Sequence, residues 1–516
     1  MIVVELVGAR DDVVFVESYD IAVAAILLCP VTRPTSWRML GQTLFPLQEF
    51  LFVKFSEEIK YFEQYHRKII FHSTTMTSTE DTPMGGTDPQ STHQVQIKFT
   101  TRHPDIAVPT APILVPVNLK RYGLSQIINH LLDTSTAIPF EFLANGSFLR
   151  TSIEKYLSDN GLSSESVLTL EYVRAIVPPK FQAAFQHDDW VSSVSVEQEN
   201  KRILSGSYDG IVRVWNESAQ CLYTGAGHTD SVKTAKWMSA TKLVSAGMDR
   251  GLRLWEIDGE SVEENTEISA MAEFVGHRST VEKIDVDSSS GRVLSAGMDS
   301  LVGFWTTNIS EAPKAPKEAP GRKTKRRKES SVGPPRYGSL RMLEGHTSPV
   351  SGVSFDPKDS TVGYSVSWDH TIRTWDLAAY SLVDTRTTQH PLLSICVLPT
   401  LSLLACGSSA RHITLHDPRA SASTVTTSTL RGHTNAVVAL SPNKDNEWQM
   451  VSGSHDGTLR IWDVRATESG SIWTIKREGE GLSGKEKVFD VEWSGLGIVS
   501  GGEDKRVRID ESPKGE

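Results

Sequence analysis

Ser205-Gly-Ser-Tyr-Asp209-Gly-Ile-Val-Arg-Val-Trp215 decides the fold, because it does not occur only once. Asp-Gly between two β-rich runs is a hairpin signal, since glycine tolerates the positive φ that tight turns require. The run after it mixes β-branched and large apolar residues, as a strand does, and closes on tryptophan. Six residues separate aspartate from tryptophan, and the interval returns from Asp249 to Trp255, Asp299 to Trp305, Asp369 to Trp375 and Asp456 to Trp462. Ahead of the turn stands Gly-His, at His228, His277, His346 and His433; His187 holds that place in the first copy without its glycine. Two copies are degenerate. In the fifth, Ala410 takes the aspartate position and His416 the tryptophan position; in the seventh, Asp504 is kept and Asp510 replaces tryptophan. The count is seven.

Each unit reads as four short strands. One four-stranded blade cannot bury both its faces, and stacking blades in a ring does so while limiting exposed edges. The expected fold class is therefore an all-β seven-bladed WD-repeat propeller, over residues 180–512. The last repeat stops soon after Asp510, short of a final strand, so the residues just before Trp190 are expected to supply that strand and close the ring. Two inserts read as surface loops. Glu260 to Glu267 is acidic and is placed between blades two and three; Ala312 to Arg336 is rich in Pro and Lys and is placed between blades three and four.

Residues 93–174 read as an α+β module. Val95, Ile97 and Phe99 alternate as in a strand, and Gly123 opens an amphipathic helix with Leu124, Ile127, Ile128, Leu131 and Leu132 at helical spacing. A short strand, Phe140 to Leu143, ends at Asn145-Gly146; a second helix spans Thr151 to Asp159, and Val167 to Val173 is the closing strand. The order β-β-α-β-α-β suits an N-terminal ubiquitin-like domain, with Pro178-Pro179 as the hinge to the propeller. Residues 1–92 fit neither part. Residues 73–92 are rich in Ser, Thr, Gly and Pro and read as disordered. Met84 is a natural start for the module, and residues 1–83 read either as a lineage-specific extension or as a gene-model artefact.

The 516 residues carry a formal net charge of −10 and are 39% hydrophobic, so any basic interaction patch is local. Four cysteines without metal or redox spacing suit a reducing compartment. The most apolar stretch, Ile21 to Val31, is about half the ~20 residues a membrane span needs, and acidic residues precede it where a signal peptide is basic. Ser, His and Asp recur together as His228, Ser245, Asp249; His277, Ser295, Asp299; His346, Ser365, Asp369; and His433, Ser452, Asp456. A hydrolase needs those residue types, but an active site is one constellation, not a repeat. The repetition points instead to a buried hydrogen-bond network of His, Ser, Asp and the Trp indole in each blade. Asp285-Val-Asp287-Ser-Ser-Ser-Gly291 faintly resembles a calcium loop but lacks the bidentate Glu. No nucleotide or zinc-protease motif occurs, so no cofactor and no catalysis are expected. From Lys314 to Lys328 the chain is basic, and its core, Lys323, Lys325, Arg326, Arg327 and Lys328, reads as a nuclear-localisation run, a contact to RNA phosphates, or a solvated loop.

Val117-Asn-Leu-Lys-Arg-Tyr-Gly-Leu-Ser125, Phe148-Leu-Arg-Thr-Ser152, Gly161-Leu-Ser-Ser-Glu165, Arg174-Ala-Ile-Val-Pro-Pro179, Asp189-Trp-Val-Ser-Ser193 and the fifth-blade stretch Leu403 to Asp417 together carry a resemblance. Over about residues 93–510 the chain is similar to the nucleolar WD-repeat ribosome-biogenesis factors, the family of WD repeat-containing protein 12, in its fungal form. That resemblance implies a scaffold that joins Pescadillo and the Block-of-proliferation protein in a trimer, acts in maturation of the large ribosomal subunit and pre-rRNA processing, and resides in nucleus, nucleolus and nucleoplasm. It implies that the ubiquitin-like domain docks on the MIDAS domain of midasin, an AAA ATPase that pulls the trimer from the pre-ribosome. Glu165 is the residue it assigns as the in-trans ligand to the MIDAS Mg²⁺. The reading from the residues alone leaves Glu165 a solvated loop charge, and a generic propeller adaptor, such as a ubiquitin-ligase substrate receptor, stays open as the alternative. No membrane partner is expected.

Overall fold

A computed structural model describes residues 93–511, apart from 135, 176, 259–264, 316–332, 421–427 and 478–485. The extension 1–92 and the run Lys323, Lys325, Arg326, Arg327 and Lys328 lie outside the described residues.

The amino-terminal module is β1 (Gln94–Thr100), β2 (Ile113–Pro116), α1 (Arg121–Leu132), β3 (Phe140–Ala144), β4 (Ser147–Phe148), α2 (Ile153–Asp159) and β5 (Leu168–Arg174). Its sheet runs β2-β1-β5-β3-β4, with β1 and β5 parallel. The alternation read from the sequence is the cause: Val95, Ile97 and Phe99 leave one face of β1 and pack with Leu124 and Ile128 of α1 in one core. Asn145 and Gly146 both take positive φ, 48° and 77°, which makes the tight turn into β4, a strand beyond the expected order. α1 starts at Arg121, two residues before Gly123, and the Ser152 hydroxyl caps α2 by accepting from the Lys155 amide.

Seven sheets follow. Their inner strands, Val191–Glu197, Val232–Trp237, Val281–Asp287, Val350–Phe355, Leu392–Leu398, Val437–Pro442 and Val488–Ser494, neighbour one another in order, and the last returns to the first. The ring is closed by β6 (Lys180–Gln186), which pairs antiparallel with Arg506–Glu511 and completes blade seven. Charges bind the inner strands across blades: Lys236 meets Glu492 at 3.4 Å, and Lys283 meets Asp490 at 2.8 Å. Asp490 also accepts from the Ser193 hydroxyl and the Val194 amide, so blades one, two, three and seven share one network.

The two inserts lie within blades two and three, not between blades. The tryptophan ends the third strand, and an outer strand, Ala270–Val275 or Arg341–Leu343, still follows. Nor are the inserts only loops. Thr266–Ile268 adds a parallel fifth strand to blade one, and Arg336–Tyr337 does the same for blade two, covering outer edges that would otherwise show unpaired backbone.

Candidate functional site

The repeated His, Ser, Asp and Trp residues converge in blades two, three, four and six. In each set, histidine Nδ1 lies 2.8–3.0 Å from the nearer carboxylate oxygen of Asp249, Asp299, Asp369 or Asp456. Nε2 lies 2.6–2.7 Å from the hydroxyl of Ser245, Ser295, Ser365 or Ser452. The indole N–H of Trp255, Trp305, Trp375 or Trp462 donates to the same hydroxyl oxygen at 2.7–2.8 Å. With a neutral imidazole, only one proton arrangement fits. A carboxylate only accepts, so Nδ1 carries the hydrogen; Nε2 then accepts from the serine O–H, and the serine oxygen accepts from the indole. The four serines are fully buried, at 0% exposure, so no substrate reaches their hydroxyls.

Electrostatics agree with a fixed network. Burial works to raise the Asp369 carboxyl, but hydrogen bonds from Thr371, His346 and the Thr347 amide outweigh it and hold it at about 2. Asp456 is held lower still, against the same burial, by His433, Thr458 and the Thr434 amide. Burial lowers His346 and His433 despite their aspartate partners, so both stay neutral near pH 7. The glycine of Gly-His has a steric origin. A Cβ on Gly227 would stand 2.9 Å from both Arg253 Nη1 and the Trp255 ring, and one on Gly345 2.3 Å from Arg373 Nη1.

Each histidine follows the outer strand of one blade and bonds the next blade, so the tetrad is a staple across a junction. Three junctions depart from the pattern. His187, after β6, bonds Ser205 at 2.8 Å, and Trp215 completes the set, but Nδ1 faces the Phe185 carbonyl. Asp209 is taken by Arg213 at 2.7 Å, which also holds Asp188. Burial, then the Arg213 charge, lower His187 to about 4. Blade five loses all four residues: Thr388, Cys406, Ala410 and His416 stand in their places, and Thr388 bonds back to the His370 carbonyl. At blade seven, Arg477 does what histidine does elsewhere. Its guanidinium donates to Ser500 at 2.6 Å, to Asp504 at 2.7 Å and to the Arg506 carbonyl. The sequence offered a weak signal for it, a cation directly after the outer strand Trp473–Lys476. Asp510, at the tryptophan position, is buried beside Arg508, and burial pushes its carboxyl up.

Glu165 sits apart from all of this, on the exposed turn between α2 and β5. The turn is closed by its own serines: the Ser163 hydroxyl accepts from the Glu165 amide at 3.2 Å, and Ser166 Oγ donates to the Ser163 carbonyl at 2.7 Å. Gly161 takes φ 63° and begins the loop. No described residue forms a hydrogen bond or ion pair with the Glu165 carboxylate, which leaves it available to an outside ligand. Asp285 and Asp287, the calcium-like pair, face different partners: Asp285 accepts from Ser354 and the Phe355 amide, and Asp287 accepts from Ser289 and Ser290. Among the described residues no cluster of metal ligands forms, and no helix is long and apolar enough to cross a membrane.

The chain is similar to known families along both parts. The family model described as NLE (NUC135) domain matches residues 95–157, and that described as WD domain, G-beta repeat, matches 180–216, 219–256, 338–376 and 424–463. A ribosome biogenesis protein ytm1 from Neosartorya fischeri is 48% identical over 479 residues, spanning 84% of this chain and 98% of that protein. One from Aspergillus terreus is 50% identical over 461 residues, 81% of this chain and 95% of its own. One from Ajellomyces capsulatus is 48% identical over 476 residues, 84% and 97%. Identity at that level over nearly the whole of each relative, with blades and amino-terminal module both included, places the chain in the Ytm1 family of ribosome biogenesis proteins.

Proposed function

We propose that, within ribosome biogenesis, this chain is a non-catalytic assembly factor for the large subunit, a handle by which an ATPase removes its complex from the pre-ribosome. The propeller anchors it in a trimer with Pescadillo and the Block-of-proliferation protein in the nucleolus and nucleoplasm, where the trimer supports pre-rRNA processing. The ubiquitin-like domain offers Glu165 to the MIDAS domain of midasin. The observation that carries this reading is the exposed Glu165 carboxylate, without a partner among the described residues, on a turn that its neighbouring serines close. Mg²⁺ takes hard oxygen ligands in near-octahedral order, and a protruding carboxylate suits a vacant position of such a site in trans. The buried serines of the tetrads speak against a hydrolase, because a nucleophile must meet its substrate. The basic run fits a nuclear address or a contact to rRNA.

The test is binding of the full chain to an isolated MIDAS domain with Mg²⁺. Glu165→Ala should leave thermal unfolding unchanged and remove binding; undiminished binding refutes the assignment. Affinity purification separates the alternative. Pescadillo and pre-ribosomal RNA in the eluate support the assembly factor, and a cullin scaffold supports a ligase receptor.

A further inference from the structure

The ubiquitin-like domain does not hang from its hinge; it is seated on blade six. Arg465 follows the third strand of that blade, and Asp463 fixes its guanidinium at 2.6 Å. The same guanidinium reaches Glu171 of β5 at 3.5 Å, and Glu171 also pairs with Arg102 at 3.1 Å. Trp448 of blade six receives both arginines, with Arg102 4.4 Å and Arg465 5.2 Å from its ring. Below this, Leu143, Phe148 and Val173 of the small domain pack with Ala466 and Ile472. The Phe148 amide donates to Ser469 at 2.6 Å. Arg465 keeps only 5% of its side chain exposed and is the buried member of this cluster, whereas Arg102 at 53% faces solvent.

The covalent connection runs elsewhere. After β5, residues 175–179 lead directly into β6, the strand that closes the ring. Lys180, the residue nearest the small domain, is paired with Glu511 at the end of that ladder. A pull on the small domain through the connection alone would act on this end pair and open the ladder one bond after another. A pull spread over the seat must instead shear apolar, ionic and cation–π contacts together.

We propose that blade six is a force-bearing seat, which diverts tension applied to the ubiquitin-like domain away from the closing strand β6 and into the ring. The proposal rests on the reading that Glu165 is where an ATPase pulls, and its test needs no ATPase, so the two can fail separately. The full chain is held in an optical trap by handles attached at positions 165 and 288, the latter on an exposed turn of blade three. Peeling β6 would release residues 175–186, a step of roughly 40 Å at the reach of an extended chain. In the wild type this step should be absent until another element yields. In Trp448→Ala it should come first, with at least a tenfold shorter lifetime at constant load. Arg102→Ala, which changes the small domain's surface and leaves blade six as it is, should move the lifetime in the same direction. The variants' circular dichroism must match the wild type, which excludes a folding defect, and if Trp448→Ala fails that check Arg102→Ala decides. Identical traces for wild type and folded variants, or β6 yielding first in the wild type, overturn the proposal.

Discussion

Acidification should weaken the junction between blades seven and one, and His187 sets the amount. The imidazole is buried, 4% exposed, with Nε2 on Ser205 and its ring 5.0 Å from that of Trp215. Its folded value of about 4 lies below the ordinary 6.5. Between those two values the unfolded chain holds the extra proton, so stability rises with pH. The contribution is complete above 6.5 and is lost as pH falls toward 4. At about 1.4 kcal/mol per pH unit the full gap is worth about 3 kcal/mol, of which roughly 2–3 kcal/mol disappears between pH 7.0 and 4.5. The assay is urea unfolding of wild type and His187→Gln across that range. Glutamine keeps a polar tip for Ser205 but loses the ring contact with Trp215, so the variant is less stable at pH 7. Because it does not titrate, the wild type's advantage should fall by about 2–3 kcal/mol at pH 4.5. His346 and His433 lose stability with the same sign, but in both proteins, and they cancel in the difference. The aspartates fall in a separate window. Asp369 is held at about 2 against an ordinary 3.8, so its share persists until pH drops below 3.8. Two unfolding curves that stay parallel from pH 7.0 to 4.5 would refute the reasoning.

Two further substitutions test the staples. Asp456→Ala strips the carboxylate that His433, Thr458 and the Thr434 amide share, and should cost about 1–3 kcal/mol in denaturant unfolding, while binding of the MIDAS domain is unchanged. Arg477→Ala leaves Asp504 without its buried partner and should cost about 3–5 kcal/mol, with Arg477→Lys failing to restore it because one ammonium cannot reproduce the forked contacts to Ser500 and Asp504.

The propeller was legible because its signal is local. Asp-to-Trp spacing is set within one hairpin, and the histidine stands 17–19 residues before its serine in the four regular sets. Arg477 escaped because residue type and distance both change: it precedes Ser500 by 23 residues. The fifth strands of blades one and two escaped because they are made by inserts that carry no repeat pattern. The seat left no trace, since Arg465 meets Glu171 across 294 residues and neither belongs to a motif. In the small domain, alternation gave β1 and helical spacing gave α1. The role of Glu165 came only with the resemblance, because a solvated carboxylate on a turn looks the same whether or not a metal ion waits for it.

The distribution of staples bears on where a pulled propeller would give way. Blade six is bound to blade five through His433 and to blade seven through Arg477, so tension arriving at the seat is passed in both directions around the ring. The junction between blades four and five has no histidine staple. It is held instead by Arg386 of blade four, a buried side chain oriented by Asp384, which donates to the carbonyls of Asp417, Pro418 and Ala420 just after the third strand of blade five. Those bonds grip a loop rather than a strand, and no indole, serine and carboxylate lie in line behind them. A ring loaded at blade six therefore meets, on the far side of blade five, a junction whose shared apolar core and Ser351–Leu392 hydrogen bond are not backed by a histidine staple. If a blade opens under force before the seat itself shears, the opening should begin between blades four and five.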